Sequence, residues 1–238
     1  MTWLLANLDL VGRNLLAHLG QAVPPILLAL LLSVPLAKLT ARRPLLRNGV
    51  SVGSGLLYAV PSLPLFIVLP LIIGTSIRSP VNVIIALTLY GLALMVPAAQ
   101  EAFRSVRPDA LDAATAQGFT PLARFTQVEL PLAGPALLAG LRVVTVSTVS
   151  LVTVGGVLGV PSLGMLFIDG FQRGIIAEVL TGIIATVLLA LVLDALLVAL
   201  GRLLMPWTRS RAGIAQRSEG SGDRRPGADA TAAVEVRA

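Results

Sequence analysis

The 238-residue chain has no cysteine and a single histidine, His18. Without cysteine there is no disulfide, no thiolate metal ligand and no cysteine nucleophile. One histidine leaves no histidine set for a metal centre, and no catalytic constellation is read elsewhere. Charge is equally scarce. Asp, Glu, Lys and Arg make up 13% of the residues, about half of the ~25% usual in a soluble globular domain. Aromatic residues account for 4%. The chain is instead 55% hydrophobic, with a mean hydropathy of +0.88. That is more apolar material than one core of this size could hide. It argues against a soluble enzyme and for a polytopic membrane protein.

Five apolar stretches compare with the ~20 residues that a spanning helix needs: residues 21–39, 49–73, 80–99, 133–160 and 179–204. The N-terminal segment 1–20 is amphipathic over residues 7–19, and that run can lie on the membrane surface or extend the first helix. His18, within it, reads as an interfacial residue rather than a ligand. No small-residue cleavage site follows a basic stretch, so no removable leader is expected.

The net charge of +6 and a pI near 11.2 would suit a nucleic-acid binder, but the basic residues are sorted by membrane side. Lys38, Arg42, Arg43 and Arg47 follow the first span. Arg104, Arg107, Arg124 and Arg142 accompany the connector after the third span and the start of the fourth. Arg202, Arg209, Arg211, Arg217, Arg224, Arg225 and Arg237 lie in or before the tail, which leaves only Arg13, Arg78 and Arg173 for the opposite side. By the positive-inside rule, an odd number of spans then puts the N-terminus outside and the C-terminus in the cytoplasm. No nucleic-acid partner is implied. The tail, residues 208–238, turns to Arg, Ser, Gly, Asp and Ala and is expected to be disordered in the cytoplasm.

The longest connector, residues 101–132, has the composition of short helices. Asp109 follows Pro108 and can cap a helix running through Leu111, Ala114 and Ala116. Gly118 suits a left-handed stop. A second amphipathic turn with Pro121, Leu122, Phe125 and Val128 is expected to end at Leu130-Pro131.

The spacing within this connector resembles a family signature. Asp112-Ala113-Ala114, three residues, Gly118-Phe119, then Val128 and Leu130-Pro131 is similar to the EAA loop of binding-protein-dependent ABC importer permeases: Glu-Ala-Ala, three residues, Gly, nine residues, Ile, one residue, Leu-Pro. Asp112 replaces Glu and Val128 replaces Ile. Further segments resemble the glycine betaine, carnitine and choline (osmoprotectant) branch. They are Tyr58-Ala-Val-Pro61-Ser62-Leu63, Leu89-Tyr90-Gly91-Leu92, Val128-Glu129-Leu130-Pro131-Leu132-Ala133-Gly134-Pro135 and Ala139-Gly140-Leu141-Arg142. Where the family often carries Gly-Ala-Gly-Gly-Leu-Gly-Asp, this chain has Gly159-Val-Pro161-Ser162-Leu163-Gly164-Met165, near the outer face.

The resemblance implies an all-α membrane bundle of about five helices, of the type I importer permease kind. Its transmembrane domain would be 21–207, with the coupling loop at 101–132. In that family the loop docks on a separate ATPase. Asp112, Ala113, Ala114, Gly118, Phe119, Val128, Leu130 and Pro131 are the candidate docking residues, with Asp112 as a charged anchor. The implied partners are two cytoplasmic ATPase subunits that hold ATP and magnesium, a second permease subunit, an extracytoplasmic binding protein and the lipid of a bacterial inner membrane. This chain would hold no cofactor, and it shows no Gly-rich loop ending in Lys-Ser/Thr. So few aromatics are poor material for a quaternary-ammonium cage, so the high-affinity site is expected on the binding protein. Other readings are a permease for another small solute or an ion-coupled carrier. The latter would call for internal repeats or paired intramembrane acids.

Polar residues inside the spans mark a candidate path. Pro61 and Ser62, with Pro64, interrupt the second span and free backbone groups that need a partner. Tyr90 lies in the third span. Ser147, Ser150 and Thr153 recur every three residues on one face of the fourth. Their hydroxyls can line a path or bond back to their own helix. Asp194, in the fifth span, would cost at least ~2.5 kcal/mol unpaired, and reads as a structural acid held by a partner in the bundle.

Overall fold

The computed structural model describes residues 2–41 and 43–208, and every regular element among them is helical. A short α1 (Thr2–Ala6) is followed by α2 (Leu8–Ala41), α3 (Pro44–Ala59), α4 (Ser62–Ile73) and α5 (Pro80–Arg104). Next come α6 (Pro108–Ala116), α7 (Pro121–Arg124), α8 (Leu130–Gly155), α9 (Leu163–Gln172) and α10 (Ile176–Leu204). Residues 209–238, nearly all of the expected tail, lie outside the described residues.

Four runs are long and apolar enough to cross a membrane: Leu8–Ala41, Pro80–Arg104, Pro121–Leu158 and Ile176–Leu204. The pair α3 and α4 makes a fifth if counted as one broken span. At 34 residues, α2 is about 50 Å long, well beyond the ~30 Å hydrocarbon layer. The amphipathic run is thus part of the first span rather than a separate surface helix. His18, within that run, packs against another helix. It is fully buried, with Nε2 3.1 Å from the carbonyl of Val149 on α8.

The second apolar stretch is cut in two, and its halves meet at 102°. Proline disfavours helical backbone in the residue before it and cannot donate within a helix. Val60 and Pro61 accordingly both adopt extended ψ, 128° and 137°.

The fourth span begins earlier than its apolar pattern. α7 passes through a π-type turn, Phe125–Glu129, directly into α8, so Leu130-Pro131 does not end a helical turn but sits inside one run of 38 residues. A proline ring in an ordinary α-helix crowds the carbonyl four residues back. Here the backbone N–H of Leu130 reaches Phe125, and this wider turn relaxes the helix where Pro131 enters. Similarly, α5 continues past Ala99 to Arg104, leaving a shorter connector than the composition suggests. α9 was not anticipated at all.

The core lies among α2, α5 and α8. More than half of the apolar stretch of α5 is buried, whereas hardly any of that of α10 is. Close contact relies on small residues, as expected where lipid is as apolar as the protein. Gly164 of α9 lies so near the α8 backbone that a Cβ there would stand 2.1 Å from the carbonyl oxygen of Thr153. The segment 159–165, read above only as lying near the outer face, forms a backbone-to-backbone seam, with Leu163, Gly164 and Leu166 buried.

A prediction follows from that seam. Gly164→Val should cost at least about 3 kcal/mol of bundle stability, because a backbone carbonyl cannot move aside. Gly20→Ala, whose added methyl meets nothing within 4 Å, should be neutral or stabilising by about 1 kcal/mol. Detergent-solubilised protein titrated with SDS separates the two outcomes.

Candidate functional site

The knob between the third and fourth long spans is built from short helices stopped by local chemistry. Pro108 opens α6 at its first turn, where a missing N–H costs nothing. The residue at the cap position is Arg107, with no side-chain cap bond. Asp109 therefore does not cap the helix but stands in its first turn. There it is paired with Arg107, whose guanidinium holds the Asp109 carboxyl below the usual carboxylate range. The helix ends at Gly118, φ +83°. The Phe119 N–H bonds to the Ala114 carbonyl at 3.1 Å, and that of Gly118 to Thr115 at 3.0 Å. Only a left-handed residue allows this double closure, and glycine adopts it without Cβ strain. The Thr120 hydroxyl then caps α7 by accepting from the Ala123 N–H at 3.3 Å, and Arg124 donates across to the Thr115 hydroxyl at 3.0 Å.

Of the sequence-selected docking residues, Ala114 is buried beneath the knob. Phe119, Val128, Leu130 and Pro131 are half-buried, and Asp112, Ala113 and Gly118 are exposed. Asp112 makes no ion pair among the described residues. The knob thus turns an acid and a small residue outward and roots itself through Ala114, with Leu111 and Phe125 packed on the core.

Beneath the knob sits a pair that the sequence reading did not single out. Lys38, near the end of α2, bonds to both carboxylate oxygens of Glu129 in the π-type turn. The Glu129 side chain is 7% exposed and that of Lys38 31%. The Lys38 ammonium also lies 5.2 Å from the ring centroid of Phe125, which packs against Phe103 at 5.8 Å. One contact set thus ties the knob, α2 and α5 together. Two cues could have found it: Lys38 is the sole lysine among 18 basic residues, and Glu129 is a lone acid at the entrance of an apolar run. Beside it, the Gln100 amide donates to the Thr40 hydroxyl at 3.0 Å and accepts from that of Ser51 at 2.7 Å, joining α5, α2 and α3.

The candidate path residues fall into two groups. Tyr90, 4% exposed, donates its hydroxyl to the carbonyl of Val60, and its ring meets Tyr58 edge-on. Tyr90 thereby satisfies a carbonyl freed at the Pro61 break, bringing two sequence-selected positions together. Pro61 itself is exposed and Ser62 half-buried. On α8, Thr153 donates to the Ser150 carbonyl at 2.6 Å, so its proton is used within its own helix. Ser150 is exposed, while Ser147 lines a groove between α8 and α10 with Asp194. Asp194 has a partner: Arg142 Nε and Nη2 donate to its two oxygens at 2.6 and 2.8 Å. Arg142 is well inside α8 and is neutralised there, so it is not one of the loop charges that orient the chain.

At the other end of the bundle a second polar cluster is buried. Gln21 Nε2 donates to the Pro161 carbonyl at 2.6 Å, and Ser162 and His18 are fully buried.

This helical bundle is shared with known proteins. Residues 14–210 match the family described as binding-protein-dependent transport system inner membrane component. The chain belongs to this family. It is similar to the osmoprotectant import permease protein OsmW of Salmonella typhimurium, at 30% identity over 207 residues, which is 86% of this chain and 96% of that one. It is also similar to the glycine betaine/carnitine/choline transport system permease protein OpuCD of Bacillus subtilis, at 28% identity over 220 residues and 92% of both chains. Its fold resembles the MetNI methionine ABC transporter in an inward-facing conformation, with a TM-score of 0.72 at 21% identity, over 83% of this chain and 97% of that one. The permease is accordingly a multi-pass inner-membrane component of an ABC importer that depends on a binding protein.

For this permease the Lys38–Glu129 pair carries its own prediction. Glu129→Gln should destabilise the bundle by roughly 1–3 kcal/mol, less than a fully buried pair because Lys38 keeps partial access to solvent. Joint reversal, Lys38→Glu with Glu129→Lys, should recover part of the loss. SDS-titrated unfolding of the single and double variants measures both.

Proposed function

We propose that this permease forms the path of an ATP-driven importer for a small quaternary-amine osmoprotectant such as glycine betaine, choline or carnitine. A separate extracytoplasmic binding protein delivers the solute. Two ATPase subunits, which hold ATP and magnesium, dock on the knob, and two permease subunits, identical or homologous, enclose the path. The permease itself hydrolyses nothing and binds no cofactor.

The observation that carries this reading is the knob itself. Asp112 and Ala113 face outward, Ala114 is rooted in the bundle and Gly118 closes the helix at φ +83°. The similarity to osmoprotectant permeases along most of the chain supports the substrate class. The end that bears the knob also carries Arg43, Arg47, Arg104, Arg107 and Arg124, which supports a cytoplasmic knob by the positive-inside rule. That orientation puts the N-terminus outside and the C-terminus in the cytoplasm. Motion reaches the spans along a short route, because α7, the π-type turn and α8 form one continuous helix behind the knob.

In cells lacking other osmolyte importers, uptake of labelled betaine, choline and carnitine driven by this system tests the substrate. Competition by at least one of them supports it, and indifference to all three overturns it. Gly118→Val tests the knob. A β-branched residue at this φ should lower uptake by more than about tenfold while membrane abundance stays unchanged. Undiminished uptake would remove the knob from the coupling mechanism.

A further inference from the structure

The Arg142–Asp194 pair is placed unlike any other among the described residues. It is a two-pronged ion pair, 2.6 and 2.8 Å, within two apolar spans. It lies on the open surface of the chain rather than in the core, with side-chain exposures of 44% for Arg142 and 23% for Asp194. It lines a groove of about 650 Å³ between α8 and α10. The groove walls are small and aliphatic, with Ala139, Val143 and Val146 on one side and Val187 and Ala190 on the other, and Ser147 is the neighbouring hydroxyl. Charges on such a surface are costly toward lipid and cheap beside a polar path. If the pair served only to lock two helices, its acid would be better buried, as Glu129 is beneath Lys38.

We infer that this pair is a transit point selective for zwitterions: it opens to take the carboxylate of the solute on Arg142 and its quaternary ammonium beside Asp194. The inference rests on the osmoprotectant reading and sharpens it, from quaternary amines in general to those that also bear a carboxylate. The fork of a guanidinium matches a carboxylate in two bonds. A quaternary ammonium has no N–H to donate, so it needs only a nearby anion and apolar contact for its methyl groups, which Asp194 and the valines provide. Exchange of the internal pair for the two charges of a zwitterion leaves the net charge inside the membrane unchanged at every stage. A simple cation such as choline satisfies Asp194 alone and strands Arg142. Among the described residues no aromatic lines the groove, which suits brief passage rather than tight capture.

The test uses the whole transporter, with its binding protein and ATPases, in cells supplied with labelled glycine betaine or choline. Wild-type uptake should favour betaine over choline, and Arg142→Gln should lower betaine uptake by about tenfold or more while changing the smaller choline uptake much less, since only betaine loses a two-pronged partner. The exchanged pair, Arg142→Asp with Asp194→Arg, keeps the ion pair and so controls for folding. It should restore membrane abundance and stability but leave betaine uptake about tenfold down, because the guanidinium now projects from the other helix. The inference is overturned if the exchanged pair transports betaine at the wild-type rate, or if Arg142→Gln lowers both solutes equally. Wild-type cells that take up neither amine would instead refute the osmoprotectant reading, and this inference with it.

Discussion

Inside a bilayer a backbone carbonyl or N–H has no water to turn to, and that constraint organises this chain. Unbroken helix satisfies it at no further cost, which is why the four long spans dominate the fold. Three irregularities come with a compensation of their own. Where Pro61 breaks the second stretch, the hydroxyl of Tyr90 reaches the carbonyl of Val60. Where Pro131 enters the fourth, the helix widens instead of breaking. Where the chain turns back at Gly159, the helix that follows packs Gly164 against the backbone of Thr153, with no side chain between.

The same constraint shapes the link between the knob and the bundle. A loop would dissipate movement of α6, but the chain leaves the knob as helix and stays helical to the far end of the span. The widened turn is the soft point in that run. Lys38 and Glu129 sit there, with Phe125 and Phe103 packed around them. A charge pair shielded from water holds its geometry more firmly than a surface pair. The anchor is thus well placed to make α2 and α5 follow the knob.

Polar residues within the spans divide by where their partners are. Tyr90, Gln100, His18 and Gln21 turn inward and join helices to one another. Arg142, Asp194 and Ser147 turn toward a groove on the surface. The first group shapes the bundle, while the second is open to whatever lies outside a single chain.

The apolar spans and the turn at Gly118 were legible in the sequence because each is a local effect: hydropathy over some twenty residues, or one glycine at a helix end. The Pro61 break was legible for the same reason, though its 102° bend was not. The pairings were beyond reach. Lys38 and Glu129 are 91 residues apart, Arg142 and Asp194 are 52 apart, and His18 meets a carbonyl 131 residues away. Nothing in the neighbouring residues states which acid finds which base. That was decided by the packing of α2, α5, α8 and α10. Burying a charge is tolerable only beside its opposite, so the helices that can bring such partners together are the ones that settle against each other.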